Sequence, residues 1–388
     1  MINYIVMGQD RRVTLAVLQA VRSFTDAGCM VIGTERNRGL RWSSLCKQQA
    51  TIRFDGADDD AFVTLLDHLS RRNRHLVLIP TDCDAIGMVN RVGERLAVTV
   101  APIPDTATMT MLDDRWQFQQ LCRRHSLPAP ASRLIGGDTQ PDFASLATEL
   151  GLPFLVKPVS QRHSGGKLLI RCRSDLLRMP AHTLLIAQQI VAGIDASISL
   201  LADRGQPTAF AIAGLDPGQS ARFHPELERL AARLCQVSAF NGMMRLRARV
   251  DVATGEAVLI DCVPHCWPGL TASILAGLNL VAESVQPSPR RSGMPRITQA
   301  TTVLGHPLAP ARWQRLCTAD EGGRLLRAIS LDMYSLSMST ASVVRHAWRH
   351  TSSNTSLRPA PALPARAQDA SARLQPVPVT SQYTSATR

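Results

Sequence analysis

The sequence predicts an α/β protein: a mostly parallel-sheet amino-terminal domain, then two smaller α+β subdomains and a tail that does not fold. Three observations carry this reading. Apolar runs of strand length alternate with amphipathic helical patterns over the first hundred residues. Later apolar runs come in pairs around glycine-containing turns, as antiparallel hairpins do. Beyond Pro287 the chain becomes rich in Pro, Arg and Ser and loses its periodicity. At 388 residues the chain is too long for one ordinary core, so two or three domains are expected.

The elements follow in order. Ile2–Met7 is an apolar run without a basic flank or a small-residue cleavage site, so it reads as a first strand and not as a signal peptide. Val13–Phe24 sets Val13, Val17, Val21 and Phe24 near one helical face. Gly28 breaks the chain before the strand Cys29–Ile32. Asp59–Arg71 reads as a helix and Leu76–Pro80 as a buried strand. This β-α-β-α order implies a parallel sheet with helices on both faces. No G-x-G-x-x-G follows the first strand, which makes this part a scaffold or a substrate-facing wall and not an NAD site.

Pro102–Asp105 is a break, and Asp113–His125 reads as one helix ended by Leu127–Pro130. Asp142–Leu150 is a shorter helix, and Gly151-Leu152-Pro153 turns into the strand Phe154–Lys157. Gly165-Gly166, between polar Ser160–Ser164 and the strand Leu168–Arg171, suggests a mobile hairpin loop. Leu184–Val191 and Ala196–Leu201 read as strands flanking Gly193. Pro225–Val237 aligns Leu227, Leu230, Ala231 and Leu234 on one helical face, and Met243–Val250 with Ala257–Ile260 forms a hairpin. Residues 287–311 read as a linker, and 324–350 hold helical pieces crowded by Ser and Thr. From Thr351 to Arg388 the Pro/Ala/Ser/Thr-rich chain cannot bury enough surface to offset its ordering entropy, so it is expected to be disordered.

The formal charge of +12 invites a nucleic-acid reading, but only Lys47, Lys157 and Lys167 are lysines among 43 basic residues. That imbalance points to codon bias. The arginines are spread along the chain, and no nucleic-acid-binding signature accompanies them. No nucleic acid is expected as a partner, although a basic chain attracts small anions. No window is apolar enough for a membrane span, so no membrane partner is expected either. Nine cysteines, single apart from Cys262 and Cys266 and without C-x-x-C, suit free thiols in a reducing cytoplasm. The spacing Cys262-x-x-His265-Cys266, beside Asp261, tempts a zinc reading. No second ligand pair is visible, and buried thiols in a core turn are the better account.

Several positions suit a nucleotide. Lys157 ends a buried strand, where one ammonium can meet phosphates. A backbone with Gly165 and Gly166 can approach phosphate closely, because no Cβ intervenes. Gln188 and Gln189 at a strand end can present amide and backbone groups to an adenine edge, and Asp195 can accept from ribose hydroxyls. Two of the three lysines fall in these segments of a chain that otherwise uses arginine. Taken singly, each has a plainer reading: a solvated lysine, a turn, a cap.

Four blocks then resemble, in order and spacing, the ATP-grasp superfamily, and within it predicted carboxylate–amine ligases similar to a carbamoyl-phosphate synthase large-subunit domain. They are Leu112-Asp113-Asp114-Arg115 with Leu127-Pro128-Ala129-Pro130; Leu152–Pro158 with Ser164-Gly165-Gly166-Lys167; Gln188–Asp195; and Asp251–Gly269. The likeness covers about residues 1–285. It implies a Rossmann-like domain at 1–105, ATP-grasp subdomains at 106–183 and 184–286, a carboxy-terminal extension at 287–350 and a disordered tail at 351–388. It implies ATP as cofactor, held by Arg115, Lys157, Ser164, Gly165, Gly166, Gln188, Gln189, Ile190, Val191 and Asp195, with Asp261 as the metal ligand. The substrate, a small carboxylate or amine, is expected near Thr81-Asp82 and His265, and a homodimer is left open.

The implied activity is an ATP-dependent ligase that works through an acyl phosphate. The family's Mg²⁺ set of two acids and an asparagine is reduced here. Arg247 replaces the first acid, Asp261 keeps the second, Val263 replaces the asparagine and His265 the following arginine, while Gln189 replaces a glutamate. The alternative is therefore a catalytically weakened module that binds nucleotide or a partner without turnover. Deleting residues 351–388 should leave the melting temperature of the chain nearly unchanged in differential scanning calorimetry. A large fall would show that the tail is docked.

Overall fold

The computed structural model of the chain describes residues 2–73, 75–136, 141–160, 166–179, 183–214, 225–251, 254–286, 296–297, 316 and 318–338. Ser164 and Gly165, nearly all of 287–311 and the whole of 351–388 lie outside the described residues.

The first layer is a parallel sheet. Its strands are β1 (Ile2–Met7), β2 (Gly28–Gly33), β3 (Cys46–Thr51), β4 (Val77–Pro80) and β5 (Thr99–Val100), in the order β3-β2-β1-β4-β5. Helices α1 (Arg11–Phe24), α2 (Asp59–Arg72) and α3 (Cys83–Val92) connect them. Both faces of β1 are covered. Tyr4 and Val6 enter a core with α1, while Ile5 and Met7 enter a second core with α2 and α3. A strand buried on two faces needs apolar residues throughout, which is why this one was legible. The edge strand β3, Cys-Lys-Gln-Gln-Ala-Thr, is half-exposed and carries no such pattern.

The carboxyl ends of β1 and β4 meet closely. A Cβ on Gly8 would lie 2.1 Å from the Thr81 hydroxyl, so only glycine lets the two turns approach. Asp82 joins them, accepting from the backbone N–H groups of Gln9 (2.6 Å), Asp10 (2.9 Å) and Ala85 (3.1 Å).

The helix expected over Asp113–His125 is α5 (Arg115–Arg124), and a further helix not expected from the sequence, α4 (Thr106–Asp113), precedes it. Asp114 between them is extended. Its carboxylate caps α5 through the Gln117 N–H at 2.8 Å, and its backbone pairs with Ser160. The cap at Asp114 and its pairing with a distant strand end set the start of α5 at Arg115, just after the Asp113 that the pattern suggested.

A four-stranded antiparallel sheet follows, of β6 (Ser132–Ile135), β7 (Phe154–Pro158), β8 (Leu168–Ile170) and β9 (Leu185–Gln189), in the order β6-β9-β7-β8. Helix α6 (Phe143–Leu150) is capped by Asp142 and sends Leu146 and Leu150 into its core, while α7 (Arg173–Leu176) follows β8. The third sheet has the order β13-β12-β10-β11-β14. It comprises β10 (Ile194–Asp203), β11 (Gln206–Gly214), β12 (Gly242–Val250), β13 (Ala257–Val263) and the short parallel β14 (Arg296–Ile297). Helices α5 and α8 (Pro225–Ser238) cover one face. From its other face Leu201, Ala209, Ala211 and Met243 join the core of β1 and α1.

That shared core is completed late in the chain by α9 (Thr271–Leu275), α10 (Leu280–Val285) and α11 (Glu321–Leu331). The helix expected from residue 324 onward begins three residues earlier, where Asp320 accepts from the Gly323 N–H at 3.0 Å. Asp332 then fastens the segment down. It is 1% exposed and accepts from Ser43 Oγ (2.9 Å), Ser44 N (2.8 Å) and Ser335 N (2.9 Å). Burial pushes its pKa up, but the bonds from Ser335, Ser44 and Ser43 outweigh it and hold the carboxyl below its ordinary value. Among the described residues no helix is long and apolar enough to cross a membrane.

Asp332→Ala should destabilise the chain by about 2 kcal/mol in urea melts at pH 7, because it leaves buried donors unpaired. The depressed pKa means that this contribution is present above the unfolded value of 3.8 and is lost as pH falls through the lower folded value. The gap between Asp332→Ala and wild type should therefore close in acid.

Candidate functional site

The alternation of β12 divides its residues between two environments. Met244, Leu246, Ala248 and Val250 enter the core under α5 and α8, which puts Arg245, Arg247 and Arg249 together on the opposite face. Opposite them on β10 stand Ser199, Ser197 and Asp195 in register. On β13 the pairing of Arg247 with Asp261 is followed by that of Ala248 with Leu259, so Ile260 is an extra residue. This bulge decides the site. Leu259 and Cys262 both point into the core, although in a regular strand Leu259 and Asp261 would share a face; the bulge at Ile260 is what turns Asp261 the other way.

The four-stranded sheet contributes Lys157. Phe154 and Val156 face the core with α6, and Lys157 takes the other face of β7 beside its register partner Ile186. A lysine after an apolar strand is ordinarily solvated, yet this one is 3% exposed. Burial pulls its pKa down from 10.5 to about 8. Asp261 opposes that shift, while Arg115, Lys167 and Arg247 add to it.

Arg115, first residue of α5, links the parts. Its Nη1 donates to Pro158 O at 2.6 Å, at the end of β7, and its Nε lies 3.4 Å from Asp261 Oδ2 on β13. Arg115 N donates to Val159 O at 3.1 Å. Lys167 also has a lowered pKa, from burial first and then from Arg247, with Asp261 opposing. Arg245 is lowered by burial and by Arg247. Lys157, Lys167, Arg115 and Arg247 thus gather around Asp261, which is 5% exposed, with Asp195 a lesser influence on Lys167. Like charges this crowded repel unless an anion joins them.

The other predicted positions fall nearby in sequence order. Gln188 is buried, with its amide 3.3 Å from Ser132 Oγ. Gln189 is exposed, and its N–H donates to Ala131 O at 2.9 Å. Ile190 is exposed. Val191 O accepts from Arg249 Nε at 3.1 Å, and Asp195 pairs with Arg249 Nη1 at 3.1 Å. Gly193 between them has φ +106°, and a Cβ there would meet Val250 O at 2.4 Å, so the connection requires glycine. Gly166 is different. Among the described residues a Cβ built on it meets nothing within 4 Å, so their packing does not account for that glycine. Ser164 and Gly165 lie outside the described residues.

Sequence reasoning missed Arg249, which holds both ends of the Val191–Asp195 turn. The signal was the arginine at every second position of 245–249. Thr81-Asp82 and His265 do come together. Asp82 has a raised pKa, chiefly from burial, with its backbone bonds and His265 opposing.

The fit of Mg²⁺ turns on Asp261. Its Oδ1 is buried and has no hydrogen-bond partner among the described residues, which would suit a ligand. Mg²⁺ nevertheless demands an octahedron of oxygens. Arg115 takes the other carboxylate oxygen, Arg247 stands opposite in register, and Val263 has no donor atom. These residues do not fit a magnesium ion held by the protein.

No family profile matches the chain. It is 33% identical to a D-alanine–D-alanine ligase of Laribacter hongkongensis over 99 residues, 24% of this chain and 32% of that protein. The chain spans about a third of the length of the first curated relatives it matches. An L-amino acid ligase of Bacillus licheniformis superposes with a TM-score of 0.52 at 12% identity, covering 74% of this chain and 75% of the other. N5-carboxyaminoimidazole synthase of Aspergillus clavatus, in complex with ADP and 5-aminoimidazole ribonucleotide, gives 0.54 at 11%, covering 76% and 80%. All of these are ATP-grasp proteins, and the mixed α/β architecture here, with one parallel and two antiparallel sheets, is theirs.

Lys157→Met should stabilise the ligand-free chain by up to about 3 kcal/mol, the cost of keeping a charge whose pKa has fallen from 10.5 to about 8. Below about pH 8 the lysine is charged in both states and the cost is full. Between about 8 and 10.5 the unfolded state binds the extra proton and wild-type stability rises with pH. Urea melts should show the gap widest near neutrality and closing toward pH 10.5.

Proposed function

We propose that the chain binds ATP between its two antiparallel sheets and acts as an ATP-dependent carboxylate–amine ligase. The observation that supports this best is the surplus of positive charge around Asp261, with one lysine held there out of water. Such a site is unfavourable alone and favourable around a polyanion. In this reading Lys157 and Arg115 face the phosphates, with Lys167 and Arg247 sharing their charge. Gly166 is assigned to the phosphates as well, together with Ser164 and Gly165, which lie outside the described residues. Gln188, Gln189, Ile190 and Val191 line the adenine, and Asp195 meets the ribose.

The division into a Rossmann-like domain at 1–105 and grasping halves at 106–183 and 184–286 belongs to the same reading. Arg115 acts chiefly as a positioning residue, since its guanidinium already binds Pro158 O and Asp261.

The reaction joins a small carboxylate to an amine. A carboxylate oxygen attacks the γ-phosphorus, the bond to the β-phosphate oxygen breaks and ADP leaves. The amine nitrogen then attacks the acyl carbon, the C–O bond breaks, inorganic phosphate departs and the nitrogen loses a proton. The cationic cluster stabilises charge on the transferring phosphoryl group, and exclusion of water protects the acyl phosphate. The relatives' names place amino acids first among the substrates to try, D-alanine included.

A nucleotide-induced thermal shift tests the binding half. ATP should raise the melting temperature both in EDTA and in Mg²⁺, and Lys157→Met should lose the shift. A phosphate-release assay over amino acids and other small acids and amines tests turnover. No shift with saturating nucleotide would overturn the site, and a shift without phosphate release would leave a nucleotide-binding module.

A further inference from the structure

The spacing Cys262-x-x-His265-Cys266 does not assemble a metal site. Cys262 is buried in the core under α5 and α8, and Cys266 in the core of β1 and α1. His265 instead meets two residues distant in sequence. Cys83 opens α3, Asp113 closes α4, and His265 lies in the turn after β13. One ligand atom from each falls within 4.8 Å of the others: a thiol sulfur, a carboxylate oxygen and a ring nitrogen.

We propose that Cys83, Asp113 and His265 hold a divalent transition ion of the zinc class, with one coordination position left for water or a substrate anion. Mg²⁺ and Ca²⁺ take oxygen ligands, whereas one sulfur, one nitrogen and one oxygen suit a borderline-soft ion. Three protein ligands are the number found where a fourth position stays open. Tetrahedral zinc places its ligand atoms about 3.3–3.6 Å apart, so a separation of up to 4.8 Å asks only for small side-chain adjustments.

The surroundings fit an ion. Cys83 and Asp113 are buried and His265 is half-buried, so few waters compete. His265 Nδ1 lies 2.6 Å from Cys266 O. An imidazole that donates Nδ1–H to a carbonyl keeps its Nε2 lone pair for a metal, the usual outer support of a ligating histidine. Asp113 ends a helix, where the negative pole favours a cation, and Cys83 begins one, where the positive pole favours an anionic ligand. Cys83 is also backed by Ile86 and Met109, which fix its place between α3 and α4.

The neighbouring Asp82 is occupied by three backbone N–H groups, so it orders the turn without competing for the ion. None of the three ligands belongs to the cationic cluster, and the two sites stand or fall separately.

The test uses the full chain, stripped with EDTA, desalted and titrated with Co²⁺ alone and then Zn²⁺ alone. One equivalent of Co²⁺ should give intense tetrahedral ligand-field bands and a thiolate-to-cobalt charge-transfer band, both erased by Zn²⁺. Cys83→Ser should abolish the charge-transfer band. His265→Gln should weaken Zn²⁺ binding about tenfold or more. Cys172→Ser, at an exposed thiol, and Lys157→Met should leave the spectrum unchanged. Far-UV circular dichroism confirms that each variant is folded; if Cys83→Ser is not, His265→Gln decides. Absence of one-equivalent binding, a charge-transfer band that survives Cys83→Ser, or affinity unchanged in His265→Gln would each overturn the proposal.

Discussion

One carboxylate sets the terms for the rest of this molecule. Asp261 is the acid that acts on both Lys157 and Lys167 and binds Arg115, with Asp195 a weaker second influence on Lys167, and the bulge at Ile260 turns it toward them. Were β13 a regular strand through Ile260, Leu259 and Asp261 would share a face; the bulge lets Leu259 and Cys262 both enter the core while the carboxylate stays among the cations. Arg115 adds the mechanical side of the same constraint, since it holds the end of β7 and the carboxylate of β13 with one guanidinium. The two antiparallel sheets are therefore joined through charge at their polar faces, while each keeps its own apolar core. A surface built this way stores electrostatic repulsion that an incoming polyanion relieves.

Much of the fold was legible. Strands buried on both faces, such as β1 and β2, announce themselves as unbroken apolar runs, and α1 and α8 show clean helical stripes. Edge strand β3 did not, because half of its side chains meet water. Helix α4 was hidden, because its buried face mixes Met109 and Leu112 with Thr108 and Asp113 and so shows no clean apolar stripe.

The site divides in the same manner. Lys157 stood out through the scarcity of lysine, and its burial confirms that it is no ordinary solvated side chain. The role of Arg249 required knowing that β12 lies against β10, which alone brings it to Asp195. Cys83, Asp113 and His265 sit on three separate connections, and only the packed structure brings them together.

The late helix α11 and the Asp332 clasp bear on how the chain matures. One face of the first sheet, with α1 upon it, is finished by residues made some three hundred positions afterwards. A polypeptide emerging from the ribosome must therefore carry an incomplete amino-terminal layer, with apolar surface uncovered, until nearly all of the described chain has been synthesised. Its assembly is a closing of the circle between the two ends of the described chain.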